Sequence, residues 1–248
     1  MVLLYLYTMI QLYNWKEDSI PNILHFQGKA KYHYNGLLQS VVQNKLTNDP
    51  RITIVTCATD ENLSKLICQL KENNVPYVNC FKPSFYHIWN NTLKIKYLCE
   101  YLSTVDDKKI YMILDGFDVG VQSLDGLYDK FIATGKQIMF NSTKHNWPGV
   151  SIDRLHERDF IGEFKYFNAG ACIGYGKAIR DFYNQCLEEM KNTTDNIWES
   201  EQYIIRKVWA KYSEDKDRVI DFDYNCNMFQ TFGSTKLEKI EENKYKVI

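Results

Sequence analysis

An α/β domain built around a mostly parallel sheet is what this sequence predicts, and three observations predict it. From Arg51 onward, short β-branched or aromatic runs such as RITIVTCA and KIYMIL alternate with stretches of helical period. The helical stretches, AIRDFYNQCLEEMK among them, are long enough to cover the faces of a sheet. In YMILDGFDVG two aspartates three apart stand where an apolar run stops. Open α/β sheets bind ligands beyond the carboxyl ends of their strands, so these carboxylates fall where a site belongs.

Each element has its own warrant. RITIVTCA reads as a buried strand. NLSKLICQLKENN sets Leu63, Leu66, Ile67 and Leu70 on one helical face, with Asn at its end. PYVNCF is the next strand, and LKIKYLCEYL a helix with Leu93, Tyr97 and Tyr101 in register. KIYMIL is a strand bounded by the DGFD turn, LDGLYDKFIATG a helix and QIMFN a strand. There follow the strand FKYFNAGACIGYG, two amphipathic helices (AIRDFYNQCLEEMK and ESEQYIIRKVWAKY) and the strand VIDFD. The apolar opening MVLLYLYTMIQLYNW lacks a basic leader region and is too short to span a bilayer, so it reads as a packed strand or helix.

Composition narrows the function. The chain has 248 residues, 45% hydrophobic, enough for one sizeable core. Lys and Arg number 30 against 31 Asp and Glu, a net charge of −1 that gives no field for nucleic acid or an anionic membrane. Seven dispersed cysteines without a C-x-x-C pair read as buried thiols rather than a disulfide framework or a zinc site. With no leader in view, a cytoplasmic location is the expectation.

Two readings fit Asp115 and Asp118. Paired carboxylates on a strand-end turn make a hard oxygen site for Mg²⁺ or Mn²⁺; equally, Asp115 starts a turn and Asp118 caps the next segment. The small-residue run from Asn168 through Ala169 and Gly170 is either a close approach of backbone to a ligand or a bulged strand. Glu199 and Glu201 open a helix, where carboxylates favour the dipole in any case. Trp147, in the polar loop KHNWP, either lines a sugar site or anchors the loop.

Taken in order, these segments resemble the glycosyltransferase domain of the procollagen lysyl hydroxylases and related collagen glycosyltransferases, over roughly residues 50 to 232. VTCATDE is similar to the family's V-A-T-K-E segment, LKIKYL to Q-K-V-R-L-L, and LDGFDV to the D-S-Y-D-V metal motif. MFNSTKHNWP resembles the loop ending in W-P, FNAGACIGYG resembles L-N-S-G-G-F-I-G-Y, and ESEQYIIRKVW and DFDYNCNMFQ resemble the D-S-D-Q and L-D-x-x-C-x-I-F-Q segments. The resemblance implies a GT-A (Rossmann-like) fold that binds a UDP-sugar with Mn²⁺, Mg²⁺ being the alternative ion. It implies Asp115 and Asp118 as metal ligands, Thr59, Lys94 and Phe117 on the nucleotide side, and Asn168, Glu201 and Trp147 around sugar and acceptor. Two departures touch the sugar pocket: Thr143 stands where the family has an acidic residue, and Glu199-Ser200-Glu201 where it has aspartates.

The family's metal histidine belongs to an H-x-N-G segment after the last strands, and the end of this chain, NKYKVI, has none. His25-Phe26-Gln27-Gly28 near the start resembles that segment, with Gln for Asn, and Lys31 falls where the family has a phosphate-facing lysine. Residues 1–48 are then a permuted C-terminal piece folding back on a core of 49–248, with His25 as third ligand and Gly28 near the phosphates. The competing reading takes them as the tail of a lost tandem neighbour. The implied activity is hexosyl transfer from UDP-glucose or UDP-galactose to a collagen-like acceptor, hydroxylysine or galactosyl-hydroxylysine. A nucleotide-sugar hydrolase and a degenerate scaffold domain are the alternatives, and a homo-oligomer is left open. His33, His87, His145 and His156 read as surface or loop residues.

Overall fold

A computed structural model describes residues 10–14, 16–83, 89–148, 162–193, 200–212, 219–233, 237–241 and 244–247. Most of the apolar opening, His87, His156 and Glu199 lie outside the described residues. The central sheet has six strands. Their spatial order is β4 (Tyr77–Asn79), β3 (Ile52–Thr56), β5 (Ile110–Leu114), β8 (Tyr166–Tyr175), β7 (Ile138–Thr143) and β9 (Ile220–Phe222). β4, β3 and β5 are mutually parallel, as are β7 and β9, and β8 runs antiparallel to both of its neighbours. The sheet is therefore mixed and mostly parallel, with one reversed strand at its centre.

Alternation along the central strands sends side chains into two cores. On β5, Tyr111 and Ile113 join the core beneath α4 (Thr92–Leu102), α6 (Gly176–Asn192) and α7 (Glu201–Tyr212). Ile110, Met112 and Leu114 face the opposite core, closed by α3 (Lys65–Glu72) and α5 (Leu127–Ala133). A strand buried on both faces must be apolar throughout, which is why KIYMIL shows no polar alternation. One helix start differs from the expected one: Leu63 is 71% exposed and takes no part in the apolar face of α3. Ser64 Oγ accepts from Ile67 N–H at 3.1 Å and starts the helix one residue beyond it.

The N-terminal segment enters two smaller sheets. β2 (Ile23–His25) lies between β10 (Phe229–Thr231), parallel to it, and β6 (Val119–Val121), antiparallel to it. β1 (Gln11–Asn14) pairs in parallel with β12 (Lys244–Val247), which forms a hairpin with β11 (Leu237–Glu241). Leu12, Leu24 and Phe26 form a third core with Leu37, Leu38 and Val41 of α2 (Asn35–Val41), and the Phe26 and Phe232 rings stack at 4.6 Å. All seven cysteines are free and six are buried, as their dispersal predicts. Among the described residues, no helix is long and apolar enough to cross a membrane.

Candidate metal centre and its cavity

Two strand ends meet at the DGFD turn. Beyond β5, Asp115 N–H donates to Gly170 O at 2.9 Å, carrying the β5–β8 ladder one residue further. Gly116 passes so close to the end of β3 that a Cβ there would stand 2.7 Å from that of Ala58. Phe26 N–H donates to Asp118 O at 2.8 Å, and His25 sits opposite Val119 on one side and Thr231 on the other. The backbone of each aspartate is thus pinned by a different sheet, and β2 delivers the histidine between them.

The ligand geometry follows. His25 Nε2 lies 3.6 Å from Asp115 Oδ2 and 3.5 Å from Asp118 Oδ1, and one ligand atom from each of the three residues falls within 4.8 Å of the others. Neighbouring ligands of a small divalent ion stand about 3 Å apart, so slight contraction completes a coordination face. At its other nitrogen, His25 Nδ1 lies 3.0 Å from Asn168 Oδ1. That oxygen also accepts from Gly170 N–H at 2.9 Å, which fixes which way the amide points. An amide oxygen only accepts, so Nδ1 carries a proton and Nε2 is the ring nitrogen turned to the carboxylates, its lone pair open to a cation when the ring is neutral. Asn141 Nδ2 donates to the same oxygen at 3.3 Å, and Thr231 Oγ1 donates to Asn141 Oδ1 at 2.9 Å, backing the arrangement from β7 and β10.

Charges around the site are strongly linked. Burial pulls the His25 imidazole toward its neutral form, but the Asp118 and Asp115 carboxylates outweigh this and raise its pKa. Burial pushes Asp118 upward, yet His25, Lys31 and Lys94 hold it below the usual carboxylate range. Lys94, only 4% exposed, pairs with Asp115 Oδ1 and lies 3.8 Å from Glu201 Oε1. Burial acts to lower its pKa, and the Asp115 and Glu201 carboxylates more than reverse that. Asp115 therefore divides its oxygens, Oδ1 to the lysine and Oδ2 to the histidine. Burial pushes Glu201 up to about 7, against the pull of Lys94 and with help from Asp115.

These residues border a cavity of about 740 Å³, within the range of small-molecule sites. His25, Asp115 and Asp118 line it, together with Asn168, Glu201, Trp147 and Gly28. Lys31 is not on the lining; its neighbour Lys29 is, while Lys31 reaches Asp118 through its field. Lys94 lies behind Asp115, and Thr59 and Phe117 are exposed and outside the lining. Glu201 opens α7 from within the cavity rather than as a surface cap. His145 is the exposed loop histidine its sequence context predicts, and it also lines the cavity. Its only signal was its place two residues before Trp147.

Two departures from the resembled pattern touch each other. Gln27 Nε2 donates to Thr143 Oγ1 at 2.7 Å, and Asn168 Nδ2 donates to Gln27 Oε1. A longer amide and a hydroxyl here make one neutral hydrogen-bonded pair on the cavity wall. The donor set itself, one imidazole and two carboxylates on one side of an open cavity, fits Mn²⁺ or Mg²⁺ with positions left for ligand oxygens.

Comparison with known proteins places the chain. The family described as PLOD GT domain matches residues 85–247, more than half of the chain, with the DGFD turn inside the match and His25 outside it. The Procollagen-lysine,2-oxoglutarate 5-dioxygenase of Drosophila melanogaster is 22% identical over 132 residues, 53% of this chain and 17% of that protein. The chain thus spans less than a fifth of that relative's length. With a mixed α/β sheet flanked by helices, of the GT-A-like kind, and an acidic turn at the end of β5, this chain belongs to the PLOD GT domain family of collagen-related glycosyltransferase domains.

Proposed function

We propose that the domain transfers a hexose, glucose or galactose, from a UDP-sugar to a hydroxyl group in a Mn²⁺-dependent reaction. Its acceptor is hydroxylysine or galactosyl-hydroxylysine of a collagen-like protein. One observation carries the reading: in a member of this family, β2 brings His25 to Asp115 and Asp118 at the wall of a ligand-sized cavity.

Asp115, Asp118 and His25 hold the cation, whose charge, once bound, stabilises a diphosphate leaving group. Lys31, with the Gly28 backbone, serves the phosphate side. Thr59 and Phe117 belong to the nucleotide side at the strand ends, and Lys94 reaches it by fixing Asp115. Glu201, half-buried and with a pKa of about 7, can hold or release a proton near neutrality beside the sugar or acceptor. Trp147 offers a ring face to a sugar, and Asn168 acts through His25. No nucleophile is assigned. The N-terminal piece, bounded at 1–48 by its resemblance, is a circularly permuted ending of the fold that supplies His25 in the same chain. The pairing of β2 with β6 and β10 supports this.

UDP release from UDP-glucose and UDP-galactose tests the reading, with Mn²⁺ or EDTA and with or without hydroxylysine and galactosyl-hydroxylysine peptides. The expected result is release that needs Mn²⁺ and rises with one acceptor. Release indifferent to every acceptor would replace the transferase with a hydrolase. No binding of Mn²⁺ and UDP would remove the enzyme altogether.

A further inference from the structure

The loop Asn146–Pro148 is held from beneath by one helix. Arg206, with 0% of its surface exposed, donates from Nη1 to Pro148 O at 2.9 Å and from Nη2 to Asn146 Oδ1 at 2.9 Å. One turn earlier on α7, Gln202 Nε2 donates to Trp147 O. Residues four apart share a helix face, so a single face of α7 grips three consecutive loop residues. The Trp147 side of this arrangement is different. Its indole borders the cavity with the residue 57% exposed, and among the described residues no hydrogen bond or ring contact holds the indole itself. Its pose is therefore set through its backbone.

We infer that Arg206 is a positioning residue that acts through Trp147, holding the indole as a fixed stacking face for a hexose ring at the cavity mouth. The role rests on the transferase reading given above. Packing alone does not call for a guanidinium here, because a buried cation is costly to desolvate and an apolar side chain could fill the space. What the guanidinium adds is a planar fork of charge-assisted hydrogen bonds, stronger than neutral ones, directed at two points of one loop. Burial lowers the Arg206 pKa to about 10, which leaves it charged at neutral pH. A ring fixed in advance loses little freedom when a sugar stacks on it.

The test is a double-mutant cycle on the whole chain, with Arg206→Met, Arg206→Lys, Trp147→Ala and the double variant Arg206→Met/Trp147→Ala. Kinetics are read with UDP-glucose and UDP-galactose and both acceptor peptides. Arg206→Met is expected to raise the KM for the sugar ligand on the order of tenfold. The affinity for Mn²⁺ and UDP stays close to wild type, and Arg206→Lys recovers part of the loss. In the Trp147→Ala background, Arg206→Met is expected to add nothing. An equal loss in that background, or a matching loss of UDP affinity, overturns the inference. Should Arg206→Met fail to fold, Asn146→Ala removes one anchor at the half-buried loop end; because Asn146 also lines the cavity, it is read only through its coupling to Trp147→Ala, and an additive loss overturns the inference. Should the wild type transfer no sugar, the transferase reading fails and the inference is decided by NMR. The ¹⁵N indole signal of Trp147, identified by its loss in Trp147→Phe, is expected to shift or broaden in Arg206→Met, and an unmoved signal refutes the grip.

Discussion

Gly170 and His25 compete for one volume. A Cβ on Gly170 would stand 2.5 Å from Nδ1 and 2.7 Å from Nε2 of the imidazole, closer than side chains approach one another. The glycine makes room for the His25 imidazole, which packs against the β8 backbone. β8 is also bulged here: Phe140 pairs with Cys172 but the next residue, Asn141, pairs with Asn168, so Ala169 to Ala171 have no partners on β7. Of the two readings of the small-residue run, the bulged strand is the one seen, with the His25 side chain lying against Gly170.

Gly170→Ala is accordingly expected to cost about 1–3 kcal/mol, the usual range for overpacking, and to abolish Mn²⁺ binding. In a His25→Ala background the same change should cost much less. Urea unfolding of the four proteins checks this, and additive costs would mean that Gly170 serves the strand rather than the histidine.

His25→Ala should weaken Mn²⁺ and UDP together. The loss is expected to exceed the roughly 10–100-fold that changes behind a ligand produce, since a ligand itself is removed. Calorimetric titration with Mn²⁺ alone and then with UDP gives the answer. Unchanged binding would leave His25 as a buried histidine and nothing more.

Asn168→Ala separates two roles. As the partner of Nδ1 it should cost roughly 10–100-fold in Mn²⁺ affinity, because the His25 ring loses the bond that fixes its tautomer. If Asn168 acted only on the sugar, Mn²⁺ affinity would hold while the donor KM rose.

Glu201 gives a pH dependence of defined sign. Its pKa rises from an ordinary 4.5 to about 7 on folding, so between these values the folded state binds more protons than the unfolded chain. Stability of the metal-free protein should therefore fall as pH rises through that interval. His25, also raised, adds a decline only above its ordinary 6.5, and the lowered Asp118 acts below its ordinary 3.8. Urea midpoints in EDTA should show the decline flattened in Glu201→Gln. An unchanged slope would show that Glu201 ionises normally.

The central fold was legible because each segment carried its own period. KIYMIL shows continuous apolar burial and KLICQLKE a helical stripe, and Asp115 and Asp118 stood at a strand end where α/β sheets place their sites. Leu63 misled because it continues the helical spacing, while the Ser64 cap that excludes it is a local hydrogen bond rather than a pattern. The antiparallel direction of β8 was equally hidden, since burial on both faces looks the same whichever way a strand runs. Lys94 was singled out, but its bond to Asp115 joins a helix to a turn and leaves no mark in spacing. The pairing of Gln27 with Thr143 is of the same kind, two unremarkable substitutions that only the fold brings together.

The position of β2 also governs when the site can form. During synthesis, Ile23–His25 leaves the ribosome long before Val119–Val121, and longer still before Phe229–Thr231, yet it must lie between them. A strand with both partners so distant in sequence closes its loops late, and such topologies fold slowly. Until then Ile23, Leu24 and Phe26, all fully buried in the finished fold, remain uncovered on the nascent chain. The central sheet can assemble before β2 is seated, so the approach of His25 to Asp115 and Asp118 waits until β6 and β10 are both in place. Of the three side chains at this site, the one synthesised first is the one seated last.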